Sequence, residues 1–108
     1  MASEFRTQKV EETLMHLAAE FLQRESNRIS LITVTGIKLA DRYTKAVILL
    51  SVLPDHKAPE ALDFVRRKRS EFKEYIKKHS KLQRLPLVDF EIDYGEKNRQ
   101  RIEEISNQ

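Results

Sequence analysis

The sequence predicts an α+β domain in which helices cover one face of a three-stranded sheet. Three observations carry that expectation. Apolar residues recur at helical spacing near the start and in the middle of the chain. Three further runs show the two-residue alternation or the β-branched content of strands. Their order, α-β-β-α(kinked)-β-α, gives one sheet layer and one helical layer. With 108 residues, the chain has room for one modest core and is read as a single domain over 1–108.

The first helix is expected from about Thr7 to Arg24. Val10, Leu14, Leu17 and Phe21 are spaced four, three and four apart. On a helix they fall within roughly 60° of one another. Ala18 and Leu22 widen this core-facing stripe. Ser30 to Leu39, rich in Ile, Val and Thr, reads as the first strand. Its alternation changes phase near Gly36, between Ile32/Val34 and Ile37/Leu39, and a bulge is expected there. A loop around Asp41 and Arg42 turns the chain into a second strand, Lys45 to Leu53. That strand is apolar on both faces, with Ala46, Ile48, Leu50 and Val52 on one and Val47, Leu49 and Leu53 on the other. A short connection argues for an antiparallel hairpin, with the second strand central in the sheet.

Pro54 ends that strand, and Pro59 stands near the start of a long helical run. Leu62, Val65, Phe72 and Ile76 mark its apolar stripe, but Arg69 occupies the stripe's centre. Burying a guanidinium without a partner is costly. The expectation is a kink, or two short helices meeting near Lys68-Arg69-Ser70, with Arg69 accessible to solvent. Leu85 to Tyr94 is the cleanest strand. Val88, Phe90 and Ile92 are expected to enter the core, while Asp89, Glu91 and Asp93 point away. Glu96 to Ile105 reads as a short terminal helix anchored by Ile102 and Ile105.

Several function classes are excluded at this level. There is no cysteine, so disulfides, thiolate catalysis and zinc ribbons are impossible. Gly36 and Gly95 are the two glycines, too few and too far apart for a phosphate loop, a dinucleotide fingerprint or a GxxG clamp. The longest aliphatic run, Ala46 to Leu50, is far short of the roughly 20 residues that span a bilayer. Met1-Ala2-Ser3-Glu4 lacks a signal peptide's apolar stretch. A soluble, cytoplasmic protein with no membrane partner is expected. His16, His56 and His79 are read as isolated, without a carboxylate or histidine partner at ligand spacing, so no metal or cofactor is expected. No serine shows the local signature of an activated nucleophile, so the expectation is no enzyme and no small-molecule substrate. Asp89, Glu91 and Asp93 resemble half of a hard-cation site, but the simpler reading is the polar face of a half-exposed strand.

Charge is concentrated. Residues 1–56 hold seven Lys/Arg and seven Asp/Glu; residues 57–84 hold ten and four; residues 85–108 hold three and six. The net charge of +3 therefore comes from the middle segment. On a continuous helical wheel Arg66, Lys73 and Lys77 fall within about 40° of each other. Arg67, Lys78 and Lys81 extend this face, Arg84 continues it into the loop, Lys68 and Arg69 stand at the expected break, and Glu60, Asp63 and Glu74 dilute it. Such a face is the footprint of a polyanion binder, and the alternative is a solvated helix surface without a ligand. Arg66, Arg67, Lys68, Arg69, Lys73, Lys77, Lys81 and Arg84 are the expected RNA-binding set. Lys38 and Lys45 lie outside it and serve as control positions.

At this point the chain resembles a known family. Arg6-Thr7-Gln8-Lys9-Val10 opens the first helix as in ribosome-binding factor A. Ile32-Thr33-Val34-Thr35-Gly36-Ile37-Lys38-Leu39 and Ala46-Val47-Ile48-Leu49-Leu50-Ser51-Val52-Leu53 are similar to its first two strands. Pro86, Val88, Phe90 and Asp93 follow its third-strand pattern, with Val88 for leucine, and Arg101-Ile102 and Ile105 look like its closing helix. Order and spacing together carry the match, over about residues 5–106. The resemblance implies a type II KH-like domain without the usual GxxG loop. It also implies a non-catalytic assembly factor that binds the rRNA of the immature or free small ribosomal subunit and assists its maturation. The family's Ala-x-Gly kink falls at Lys68-Arg69-Ser70. A monomer is expected. The alternatives are a KH-like module acting on another RNA, and a protein-interaction domain using the apolar face near Val47 and Leu49.

Overall fold

The computed structural model describes residues 2–25, 30–40, 44–82 and 84–94. The elements are α1 (Ala2–Glu25), β1 (Leu31–Ala40), β2 (Lys45–Leu53), α2 (Ala58–Arg67), α3 (Arg69–His79) and β3 (Leu87–Ile92). A single 3-10 turn, Asp55–Lys57, joins β2 to α2. This is the expected order; the terminal helix expected over Glu96–Ile105 lies outside the described residues. α1 begins earlier than its apolar stripe, because no glycine or proline in Ala2–Arg6 stops it. β3 is shorter than expected at its start. Pro86 has no N–H to give to a ladder, so pairing begins at Leu87, whose N–H reaches Thr44 O at 2.8 Å.

The sheet order is β1-β2-β3, which makes β2 central. β1 and β2 pair antiparallel, with Leu31 opposite Leu53 and Ala40 opposite Lys45. The register shifts between Val34 and Gly36, as the phase change near Gly36 requires. β3 pairs parallel with β2, Lys45 beside Leu87 and Leu50 beside Ile92, an arrangement that the long crossover through α2 and α3 permits.

The core lies between the sheet and the helices. Leu14, Leu17, Ala18, Phe21 and Leu22 of α1 meet Ala46, Ile48 and Leu50 of β2, Val65 of α2, Phe72 and Ile76 of α3, and Phe90 of β3. Val88 and Ile92 pack against this core from the same face of β3. Three rings run through it: Phe21 to Phe72 at 5.2 Å between centroids, and Phe72 to Phe90 at 5.8 Å. Val52 packs with Ala58 and Ala61 beneath the start of α2. The second apolar row of β2 faces the uncovered side of the sheet, where Leu53 is exposed and Val47 and Leu49 are half-buried.

Candidate nucleic-acid interface

The helical run breaks at Lys68, which separates α2 from α3. Its φ of −96° and ψ of 7° lie in a region open to any residue, so the break needs no glycine. Lys68 N donates to Val65 O at 3.0 Å, and its carbonyl accepts from Phe72 N at 2.9 Å. One bond closes the old helix and the other opens the new one. Lys68 Nζ lies 3.5 Å from Glu71 and 3.8 Å from Glu25, with the Phe64 ring beneath it.

Arg69 is half exposed, as its place in the stripe demanded. Its Nε donates to Arg66 O at 3.0 Å, in the last turn of α2. Its Nη1 donates to Asp89 Oδ1 at 3.3 Å, and Arg66 Nε donates to the same oxygen at 3.3 Å. That oxygen also accepts Phe90 N at 2.8 Å. The N–H groups of Leu87 and Asp93 turn toward β2, so at two-residue period the N–H of Phe90 faces the free edge of β3. Asp89 blunts that edge and ties it to the helix break. This corrects the reading of Asp89, Glu91 and Asp93 as one outward row. Asp89 is drawn to the helices, and Asp93 accepts Thr35 Oγ1 at 2.7 Å.

A groove of about 480 Å³ opens beside this junction, lined by Lys45, Arg69, Ser70, Lys73, Pro86, Leu87, Val88 and Asp89. Lys45 stands outside the expected basic set, and the structure sets it beside Arg69 and Lys73 in this groove. The parallel pairing of Lys45 with Leu87 brings the start of β2 to the start of α3. Among the described residues neither Lys45 nor Lys73 meets a carboxylate, whereas Arg69 shares Asp89 with Arg66. No local signal in the sequence marks Lys45; only the register of β3 does.

The other expected cations stand apart from this groove. Arg67 pairs with Asp63 at 3.3 Å and Lys77 with Glu74 at 3.4 Å, both on the exposed surface. Lys81 lines a different groove, and Arg84 is exposed in the loop before β3. Exposed pairs of this kind contribute little, about 0 to 1 kcal/mol, and yield to a phosphate.

His16 is not isolated: its Nε2 lies 2.9 Å from Glu20 Oε1, one helical turn on. The other oxygen of Glu20 accepts Tyr75 Oη at 3.0 Å, so the pair belongs to the contact between α1 and α3. Among the described residues no three His, Asp or Glu side chains come together to hold a metal ion, and no helix is long and apolar enough to cross a membrane.

Residues 6–106 match the family described as Ribosome-binding factor A. The chain belongs to the ribosome-binding factor A family. A ribosome-binding factor A from Bdellovibrio bacteriovorus is 29% identical over 103 residues, covering 93% of this chain and 77% of the relative. One from Desulfitobacterium hafniense is 30% identical over 91 residues, covering 82% and 73%. The crystal structure of ribosome-binding factor A from Thermus thermophilus superposes with a TM-score of 0.69 at 19% identity, over 79% of this chain and 93% of that one. A Thermotoga maritima solution structure, described as a putative ribosome binding factor A, gives 0.66 at 21% identity, over 78% and 83%. A homology model of the Thermus thermophilus ribosome binding factor A, as fitted into the cryo-EM map of a 30S complex with that protein, gives 0.67 at 19% identity, over 77% and 90%. These structures share the α+β fold derived above.

Proposed function

We propose that this chain is a non-catalytic assembly factor that binds rRNA of the immature or free small ribosomal subunit and assists its maturation. It acts in the cytoplasm as a single-domain monomer, without cofactor or small-molecule substrate. The observation that carries this reading is the groove at the helix break. There Lys45, Arg69 and Lys73, from two elements far apart in sequence, converge beside the start of α3 on a ribosome-binding factor A chain. The 30S complex of the Thermus thermophilus relative supports it.

Lys45, Arg69 and Lys73 are the primary phosphate contacts. Arg66, Arg67, Lys68, Lys77, Lys81 and Arg84 supply the surrounding positive field. Contacts of this kind position a protein on a backbone without reading bases, and selectivity then comes from the shape of the subunit. About four neutralised phosphates give a slope of roughly −3 to −4 in log affinity against log salt. The test is sedimentation with purified small subunits over a salt series. Lys73→Glu with Lys77→Glu weakens co-sedimentation and flattens the slope, while Lys38→Glu, on the uncovered sheet face, leaves both near the parent. The reverse pattern places the binding surface elsewhere.

A further inference from the structure

A second groove, of about 650 Å³, lies at the other end of α3, between the first half of α1 and the loop that follows α3. Its size falls within the roughly 300–1,000 Å³ of small-ligand sites. Val10 and Leu82, both half-buried against the core, give it an apolar floor. Lys9 and Lys81 stand on its walls, and among the described residues neither meets a carboxylate. Among the described residues no Asp or Glu lines it. The neighbouring depression between α1 and α3, which His79 also lines, differs: there Glu25, Glu71 and Glu74 stand beside Arg24 and Lys78.

His79 lines this groove and is exposed. Its ring stacks on Tyr75, with centroids 4.2 Å apart and planes tilted by 38°. Tyr75 is itself held, by the hydrogen bond from its hydroxyl to Glu20 and by Arg24 over its ring at 5.5 Å. The imidazole is thus braced by Tyr75, on a groove whose two lysines meet no carboxylate among the described residues.

We propose that this groove is a second RNA subsite. One unpaired nucleobase stacks on His79 above Val10 and Leu82, and the flanking phosphates lie on Lys9 and Lys81. The inference rests on the reading of the chain as an rRNA binder. Alternation of apolar floor and lysines matches the alternation of base and phosphate in a single strand, whereas a protein partner would need carboxylates in register with both lysines. Geometry allows one strand to reach both grooves. α3 rises about 15 Å from Arg69 to His79, which is about four nucleotides of a stacked strand at roughly 3.4 Å each.

The probe is fluorescein-labelled octaadenylate, followed by anisotropy over a salt series. His79→Ala is expected to weaken binding about tenfold, the scale of one base–aromatic stack, without changing the salt slope. His79→Phe restores the affinity. Lys9→Glu with Lys81→Glu makes the slope shallower by about one to two. In the parent protein, the ring protons of His79 move upfield on adding octaadenylate while those of His56 stay in place. If His79→Ala and the lysine pair bind as the parent does, while Lys45→Glu with Lys73→Glu abolishes binding, the second subsite falls and the rRNA reading stands. If the parent shows no salt-dependent binding to octaadenylate or to small subunits, both fall. If His79→Ala loses small subunits but keeps octaadenylate, the groove seats a ribosomal protein and the proposal is overturned.

Discussion

Arg69 and Asp89, twenty residues apart, hold the break between α2 and α3 against the free edge of the sheet. The Arg69 Nη1 to Asp89 Oδ1 distance is 3.3 Å, and the same carboxylate oxygen takes Arg66 and the N–H of Phe90. The pair does two things. It fixes the angle at which α3 leaves α2, and it partly neutralises two cations beside the candidate groove. Asp89→Asn separates these roles, because the amide oxygen can still accept Phe90 N. Stability is expected to fall by about 1 kcal/mol or less, since all three side chains are partly solvated. Affinity for small subunits is expected to rise, with a steeper salt slope. A variant that binds more weakly would show that the clamp positions the site more than it masks it.

Lys45→Glu is expected to weaken small-subunit binding as much as Lys73→Glu does, by about three- to tenfold at moderate salt, because both line one groove. The thermal transition should stay near the parent's, as Lys45 is exposed. Equal binding by Lys45→Glu and the parent would remove the groove from the interface.

Phe90 is fully buried and stacks near Phe72. Phe90→Ala is expected to cost about 3–5 kcal/mol, a large share of a small domain's stability. Urea denaturation of the parent and the variant measures it. A midpoint unchanged within error would contradict the placement of β3.

Lys68→Gly tests whether the kink needs a small residue. The observed φ is negative and suits any side chain. Glycine would add unfolded-state entropy and remove the contacts to Glu25 and Glu71. A loss of roughly 0.5–1 kcal/mol is expected by thermal melting. A gain would mean that the lysine is strained at the break.

Much of this protein follows from residues close together in the chain. The stripe of Val10, Leu14, Leu17 and Phe21 determined α1, and Gly36 determined the bulge, because periodicity and its interruption are local properties. Arg69 in an apolar stripe likewise determined the helix break, since a guanidinium cannot take a core position alone. What the tertiary structure alone decided is which charges meet. Asp89 reads as the outward residue of an alternating strand until α2 and α3 are laid along that strand's edge. Lys45 reads as a bystander until the parallel register puts it beside Leu87. His79 acquires its brace only when α1 brings Glu20 and Arg24 to Tyr75. Burial is decided by a side chain's own polarity and the spacing of its neighbours, which the sequence carries. The pairing of surface charges depends on the register and crossover that place distant elements side by side, and no short window of sequence encodes that.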